Sequence, residues 1–132
     1  MLCTGNSCRS QMAEAYLRYF GGDQLLVYSA GIEAHGVNPF AIASMRRDNI
    51  DISNHTSNTL DDYKGQEFDL IITVCDNAKE NCPYFPGKAT RIHFNFPDPA
   101  QVTGDKKTIE TEFDRVRDMI KEFCKEILRK KV

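Results

Sequence analysis

The sequence lacks a long apolar run and a secretory leader. No apolar stretch approaches the ~20 residues that a membrane-spanning helix requires, so we expect no membrane partner. The N-terminus turns polar at Thr4 and has no basic segment ahead of an apolar one, which argues against a signal peptide. These absences favour a protein of the cytoplasm.

The sequence also lacks an excess of charge of either sign. Lys and Arg number 17 and Asp and Glu number 19, which gives a net charge of −2. Because polyanion-binding surfaces need a basic excess, we expect no nucleic-acid partner, and any anion site must be local. A length of 132 residues with 41% hydrophobic and 27% charged residues is typical of one globular domain, here spanning residues 1–132.

A domain of this length needs no disulfides to build its core, so its 5 cysteines require another explanation. In a reducing compartment, cysteines at unequal spacings are more often catalytic, redox-active or metal-binding than structural. An odd number also leaves at least one cysteine outside any pair within the chain. Chemistry at one or more of these thiols is therefore expected.

Apolar residues follow two alternating periodicities along the chain. Helices are predicted at 10–20, from 39 to near 49 and at about 108–130, and strands at 25–30, 70–74 and 91–94. The run Leu70–Val74 has apolar residues on both faces, which is typical of a parallel strand covered on both sides. The alternation predicts a single α/β domain with a short parallel sheet, about four-stranded, flanked by helices.

The motif Cys-Thr-Gly-Asn-Ser-Cys-Arg-Ser occupies residues 3–10, directly ahead of the first predicted helix. Small residues let successive backbone N–H groups turn inward, and a helix N-terminus adds its positive end, so this loop can bind a tetrahedral oxyanion. Arg9 adds a permanently charged fork that can bind two oxygens. The predicted anion-binding residues are Thr4, Gly5, Asn6, Ser7, Cys8, Arg9 and Ser10.

Cys3 stands at the start of this anion loop, and it is the candidate nucleophile. Aligned N–H dipoles and the Arg9 guanidinium should lower the pKa of its thiol and leave a thiolate at neutral pH. The alternative is a small buried residue ahead of a polar turn, because a cysteine and an arginine at this spacing also occur by chance.

Asp98 is the candidate general acid for the departing oxygen. Pro97 and Pro99 stiffen the backbone on both sides of it. The alternative is an Asx-type turn residue, a common role for aspartate before proline.

Five further segments, together with the anion loop, resemble the arsenate reductases of the low-molecular-weight tyrosine phosphatase superfamily. These segments are Gln11–Glu14, Ser29–Gly31, Gly36–Pro39, Asp51–Ser57 and Asp98–Ala100. The likeness spans nearly the whole chain, and it implies that superfamily's fold and a role in arsenical resistance. Val74-Cys75-Asp76 and Asn81-Cys82-Pro83 resemble the redox cysteine pair of the thioredoxin-coupled branch.

The resemblance implies a relay of three thiols. Cys3 attacks arsenate while Asp98 protonates the leaving oxygen, and Cys75 then attacks Cys3 and releases arsenite. Cys82 attacks Cys75, and thioredoxin reduces the resulting disulfide by thiol–disulfide exchange. The resemblance implies no bound organic cofactor, phosphate and sulfate as competing anions, and a monomer. Glutaredoxin or glutathione is the alternative reductant.

The sequence departs from the family pattern at two places. Only Met1 and Leu2 precede Cys3, where family members have a longer apolar strand, so we expect a shortened first strand. Some members also bind K+ beside the loop, through side chains that Asn6, Glu14, Ser29 and Thr56 match. Asn58 stands where those members have an acid, which weakens the case for a cation.

Other functions remain open at this point. A tyrosine phosphatase would use the same Cys3, Arg9 and Asp98, although it has no need of Cys75 and Cys82. A second alternative is a redox-responsive binding protein, for which the sequence offers no exposed apolar stripe or basic patch.

The remaining alternatives concern single cysteines. Cys75 and Cys82 could be a buried strand-end thiol and an incidental loop thiol. They could also form a zinc site with Cys3 and Cys8, although the spacings are not those of a zinc knuckle and an arginine lies nearby. Cys8 is interpreted as loop lining, and Cys124 as a core residue on the apolar face of the last helix.

Overall fold

The computed structural model describes residues 1–76 and 83–131 of the chain. Its helices and strands are β1 (Leu2–Cys3), α1 (Arg9–Gly21), β2 (Ala30–Gly31), α2 (Pro39–Arg47), β3 (Leu70–Thr73), β4 (Thr90–His93) and α3 (Lys106–Lys131). The four strands form one parallel sheet in the order β2-β1-β3-β4. This arrangement confirms the predicted α/β fold with a four-stranded parallel sheet.

The register of the two central strands determines where the cysteines lie. Leu2 pairs with Thr73 across β1 and β3, so Cys3 lies level with Val74. Cys75 follows one residue further along the same direction. Both cysteines therefore reach the carboxyl edge of the sheet on neighbouring strands, which is the edge where open parallel sheets bind ligands.

The predicted strand at 25–30 is wrong for most of its length. Only Ala30 and Gly31 pair with β1, opposite Leu2 and Cys3. Ahead of them, the Tyr28 carbonyl accepts a hydrogen bond from the Met1 nitrogen over 2.8 Å, but residues 25–29 form no strand. Leu26, which a buried strand would have covered, is 87% exposed.

The two faces of the sheet are covered by different parts of the chain. Cys3, Ile72 and Val74 pack with the three helices in the main core. Fully buried members of this core include Met12, Tyr16, Met45, Phe113, Val116 and Ile120. On the opposite face, Leu2 and Ile71 pack with Phe85 and the aromatic residues near Tyr63. The prediction that β3 is covered on both sides is confirmed.

Helix α2 begins as its sequence predicts. Asn38 caps it by accepting the Phe40 N–H at Oδ1 over 2.8 Å, and Pro39 occupies the first turn. The longest helix, α3, places Cys124 fully in the core, where burial raises the pKa of its thiol to about 12. None of the helices in the described ranges is long and apolar enough to cross a membrane.

Candidate active site

The loop between β1 and α1 is held open by hydrogen bonds to its carbonyl oxygens. The acceptors and their donors are Thr4 O from Glu33 N–H (3.1 Å), Gly5 O from His35 N–H (3.0 Å), Asn6 O from Ser57 Oγ (2.8 Å) and Ser7 O from Asn38 N–H (3.1 Å). None of the described peptide bonds is cis. In a trans peptide unit the N–H points opposite to the C=O, so the N–H groups of residues 5–8 turn away from these donors. The loop can therefore present them to an anion.

Asn6 lies at the tightest point of the loop, with φ of +47°. Asparagine tolerates this left-handed conformation better than most residues. Its Oδ1 accepts hydrogen bonds from the Asn58 N–H over 2.7 Å and from Gln11 Nε2 over 3.1 Å. Its Nδ2 donates to the hydroxyls of Ser10 and Ser29. The loop conformation is thus fixed by side chains from several parts of the chain.

Arg9 begins α1 and is 2% exposed. Its Nη1 donates to the Phe96 carbonyl over 3.1 Å, and its Nη2 lies 3.6 Å from Asp98 Oδ2. The guanidinium therefore connects the anion loop to the segment that carries the candidate acid. Because the helix begins at this residue, its positive end adds to the charge of Arg9.

Asp98 fits both interpretations that its sequence left open. Its Oδ1 accepts the Ala100 N–H over 3.0 Å, which makes it the cap of the short turn Pro99–Gln101. The same carboxyl group faces Arg9, and its side chain keeps 24% of its surface exposed. The carboxyl group thus lies next to Arg9 of the anion loop and remains in contact with solvent.

The cysteines differ in burial and chemical state. Cys3 is 3% exposed, and Cys75 is fully buried. Burial, reinforced by the negative charge of Asp98, raises the pKa of the Cys8 thiol to about 12, so Cys8 stays protonated and lines the loop. Cys75 is in a disulfide, whereas Cys3, Cys8 and Cys124 are in the thiol form. The predicted Cys82 lies outside the described residues.

Sequence comparison assigns this architecture to a family. The model of the family "Low molecular weight phosphotyrosine protein phosphatase" matches residues 1–132. The chain belongs to this phosphatase family.

Similar proteins within the family are named as arsenate reductases. The arsenate reductase of Halalkalibacterium halodurans is 50% identical over 90% of this chain and 86% of its own. The arsenate reductase of Bacillus subtilis is 48% identical over 95% of this chain and 90% of its own. A solved arsenate reductase in a phosphate-binding state superposes with a TM-score of 0.82 at 31% identity, covering 98% of this chain and 94% of that one.

Several residues that support the family's anion loop were missed by sequence reasoning. Glu33, His35 and Asn38 act through their backbone N–H groups, for which no side-chain signal exists. The hydroxyl of Ser57 reaches the loop from 52 positions along the chain. Gln11 could have been identified as a residue that supports the loop, because it stands in one of the segments that carried the resemblance. Its buried side chain needs a hydrogen-bond partner and finds one in the Asn6 carbonyl.

Gly31 is a further supporting residue, because the loop passes directly against its Cα. A Cβ at this position would lie 2.6 Å from Thr4 O, 2.7 Å from Asn6 N and 2.8 Å from Glu33 O. All three atoms belong to the backbone, so the loop itself would have to move.

The Gly31→Ala variant is therefore expected to weaken phosphate binding about tenfold or more, since it displaces the N–H groups that line the loop. Titration calorimetry with phosphate measures the effect. Gly21→Ala is the matched control, because the nearest atoms to its added Cβ all belong to the Leu25 side chain, with the movable Cδ1 nearest, and none belongs to the backbone. Equal phosphate affinity in Gly31→Ala and the wild type would contradict this account of the loop.

One of the four cysteines considered for a zinc site, Cys82, lies outside the described residues. Within residues 1–76 and 83–131, no three His, Cys, Asp or Glu side chains come together as a metal site. The four side chains matched to a potassium site make other contacts in the structure. Asn6 turns its amide nitrogen toward Ser29, and Thr56 donates its hydroxyl to Asn58 over 3.0 Å. Glu14 is already bound by an arginine, Arg18, at 3.1 Å.

Proposed function

We propose that this enzyme reduces arsenate to arsenite by a cysteine relay. The observation that carries the proposal is the register of β1 and β3, which brings Cys3 and Cys75 to one edge of the sheet on neighbouring strands. Cys3 is the first residue of the anion loop. The carbonyl oxygens of this loop accept hydrogen bonds from other segments, and its arginine, Arg9, is buried. Relatives named as arsenate reductases are 48–50% identical to this chain over most of its length, and they support the same reaction.

The first step joins sulfur to arsenic. The anion loop and Arg9 bind arsenate, and the Cys3 thiolate attacks As(V). One As–OH group of hydrogen arsenate takes a proton from Asp98, its As–O bond breaks as the S–As bond forms, and the oxygen leaves as water. The location of Asp98 beside Arg9, 3.6 Å away, supports its role as this acid.

The second step reduces the arsenic. Cys75 attacks the sulfur of Cys3, so that a Cys3–Cys75 disulfide forms and the S–As bond breaks. Its electron pair stays with arsenic, which leaves as arsenite, As(III). Cys82 then attacks Cys75 and returns Cys3 to the thiolate, and the dithiol of thioredoxin supplies two electrons to reduce the Cys75–Cys82 disulfide. The disulfide state of Cys75 supports its assignment as a redox-active cysteine.

A phosphatase activity is the second candidate function. Cys3, Arg9 and Asp98 would be sufficient to hydrolyse a phosphoester through a phosphocysteine, and arsenate and phosphate have nearly the same shape. After the acid, however, the chain continues with Ala100 and Gln101, neither of which can stack on a phenol ring. We therefore propose phosphoester hydrolysis only as a residual activity.

The deciding experiment measures NADPH oxidation with arsenate, thioredoxin and thioredoxin reductase, in parallel with hydrolysis of p-nitrophenyl phosphate. Arsenate-dependent NADPH oxidation supports the reductase. Efficient phosphoester hydrolysis without arsenate-dependent oxidation would reassign the chain as a phosphatase. A third reaction, with glutaredoxin and glutathione in place of thioredoxin, identifies the electron donor. We propose that the enzyme acts as a monomer in the reducing cytoplasm, without nucleic acid or membrane.

A further inference from the structure

A buried carboxylate lies directly behind the anion loop. The Glu14 side chain, on α1, is only 12% exposed. Its Oε1 accepts a hydrogen bond from Ser29 Oγ over 2.6 Å, and its Oε2 accepts one from Arg18 Nε over 3.1 Å. His55 Nδ1 lies 3.5 Å from the same Oε2. A buried carboxylate needs a countercharge, and Arg18 is its permanently charged partner.

This carboxylate is connected to the anion loop through side chains. Ser29, which donates to Glu14, accepts a hydrogen bond from Asn6 Nδ2 over 2.9 Å. Asn6 is the left-handed residue of the loop, and its N–H belongs to the row that lines the anion site. The positions of Arg18, Glu14, Ser29 and Asn6 are therefore coupled through hydrogen bonds that end at the anion loop.

Arg18 is also fixed in place from its other side. Its Nη2 donates to the carbonyl of Val27, and its Nε donates to Glu14. The guanidinium thus bridges α1 and the segment that leads into β2. Asn58, where some family members have an acid, adds no negative charge for a metal ion to balance.

We infer that the Arg18 guanidinium is a built-in cation, which replaces a bound monovalent metal ion in positioning the anion loop. A potassium ion needs several oxygen ligands, whereas Asn6 directs its amide nitrogen inward and the oxygens of Glu14 are already bound. Arg18 supplies the same positive charge as part of the protein, so no ion has to bind from solution. This inference rests on the proposed oxyanion site, and Arg18 is a positioning residue in it.

The inference has a specific consequence for variants. Without the guanidinium, Glu14 loses its permanent countercharge. The Ser29 and Asn6 side chains are then less firmly held, because their hydrogen bonds lead to Glu14. Oxyanion affinity should fall. A small cation can then bind Glu14 where the guanidinium was and restore the oxyanion affinity. Removal of Arg18 therefore creates a dependence of oxyanion binding on potassium that the wild type does not have.

The test measures sulfate binding by titration calorimetry in choline, sodium or potassium chloride at one ionic strength. Sulfate is the probe because its charge is constant near neutral pH. The variants are Arg18→Gln and Arg18→Lys. Arg129→Gln is the matched control, because Arg129 is 69% exposed and, within the described part of the chain, forms an ion pair only with Glu126 on the same helix. Thermal unfolding checks that each variant is folded.

We expect the wild type and the control to bind sulfate equally in the three salts. Arg18→Gln should bind about fivefold more weakly in choline chloride and return to within about twofold of the wild type in potassium chloride. Arg18→Lys, which keeps a positive charge, should remain within about threefold of the wild type and show no response to potassium.

Three results would overturn the inference. The first is unchanged sulfate affinity of Arg18→Gln in choline chloride. The second is a gain in the sulfate affinity of the wild type on addition of potassium. The third is a gain in the sulfate affinity of Arg18→Lys on addition of potassium. This third result tests the inference even if Arg18→Gln fails to fold. Absence of any sulfate or phosphate binding by the wild type would be a different failure, since it would overturn the proposed oxyanion site itself.

Discussion

The Cys82→Ser variant is expected to lose arsenate-dependent NADPH oxidation in the steady state, by about a hundredfold or more, while it still forms one equivalent of arsenite per enzyme. The reason is burial. Cys3 is 3% exposed and Cys75 is fully buried, so a disulfide between these two sulfurs is inaccessible to a protein reductant. A third thiol is needed to export the oxidation.

Two measurements separate these stages. Coupled NADPH oxidation reports the complete cycle, and rapid quenching of stoichiometric enzyme with arsenate reports the first arsenite released. Cys124→Ser is the matched control, because Cys124 is a core thiol far along α3 whose Sγ lies 3.6 Å from the Ala13 carbonyl, an interaction that serine can keep. Steady-state turnover of Cys82→Ser at the rate of the wild type would refute the relay.

The Arg9→Lys variant is expected to lose about 10²–10³-fold in kcat/KM for arsenate, although the charge is conserved. The buried guanidinium uses one nitrogen for the Phe96 carbonyl and turns another toward Asp98. A lysine ammonium is a point charge on a flexible chain, so it cannot make these contacts and also bind two oxygens of the substrate. Both substrate binding and the position of the acid should suffer.

The control for this prediction is Arg47→Lys. Arg47 makes a two-pronged contact with Asp114, with Nε 3.0 Å from Oδ2 and Nη2 2.6 Å from Oδ1. It joins α2 to α3 rather than lining the anion loop, so the same substitution should leave kcat/KM within about threefold. An Arg9→Lys enzyme with the kcat/KM of the wild type would show that bidentate recognition is not needed.

The parts of the site that lie within one continuous segment could be predicted from the sequence. The anion loop precedes α1 as its small residues and Arg9 indicated, and the run at Leu70–Val74 gave β3 with two covered faces. Asp98 could be identified as an acid or as a turn residue, but not as both. Its contact with Ala100 makes it a turn cap, and its distance of 3.6 Å to Arg9 supports the proposed role as the acid.

The parts that depend on distant partners could not be predicted. The residues at 25–29 have the composition of a strand, but strand formation needs a paired neighbour, and only Ala30 and Gly31 pair with β1. The N–H groups that hold the loop carbonyls come from residues 33–38, whose side chains give no sign of that role. The close approach of Gly31 to the loop is likewise a property of the folded backbone alone.

The outward carbonyls of the anion loop also link substrate to protein stability. Their donors come from residues 33–38 and from Ser57, so the site exists only after these distant segments have assembled around α1. An unfolded chain has no such row of N–H groups and binds no oxyanion there. A tetrahedral anion that binds at the proposed site would therefore be a ligand of the native state, and it would add about 2.7 kcal/mol to the free energy of unfolding at a hundredfold excess over its Kd. The oxyanion that the enzyme is proposed to remove would thus protect the enzyme from heat and proteolysis for as long as that oxyanion is present.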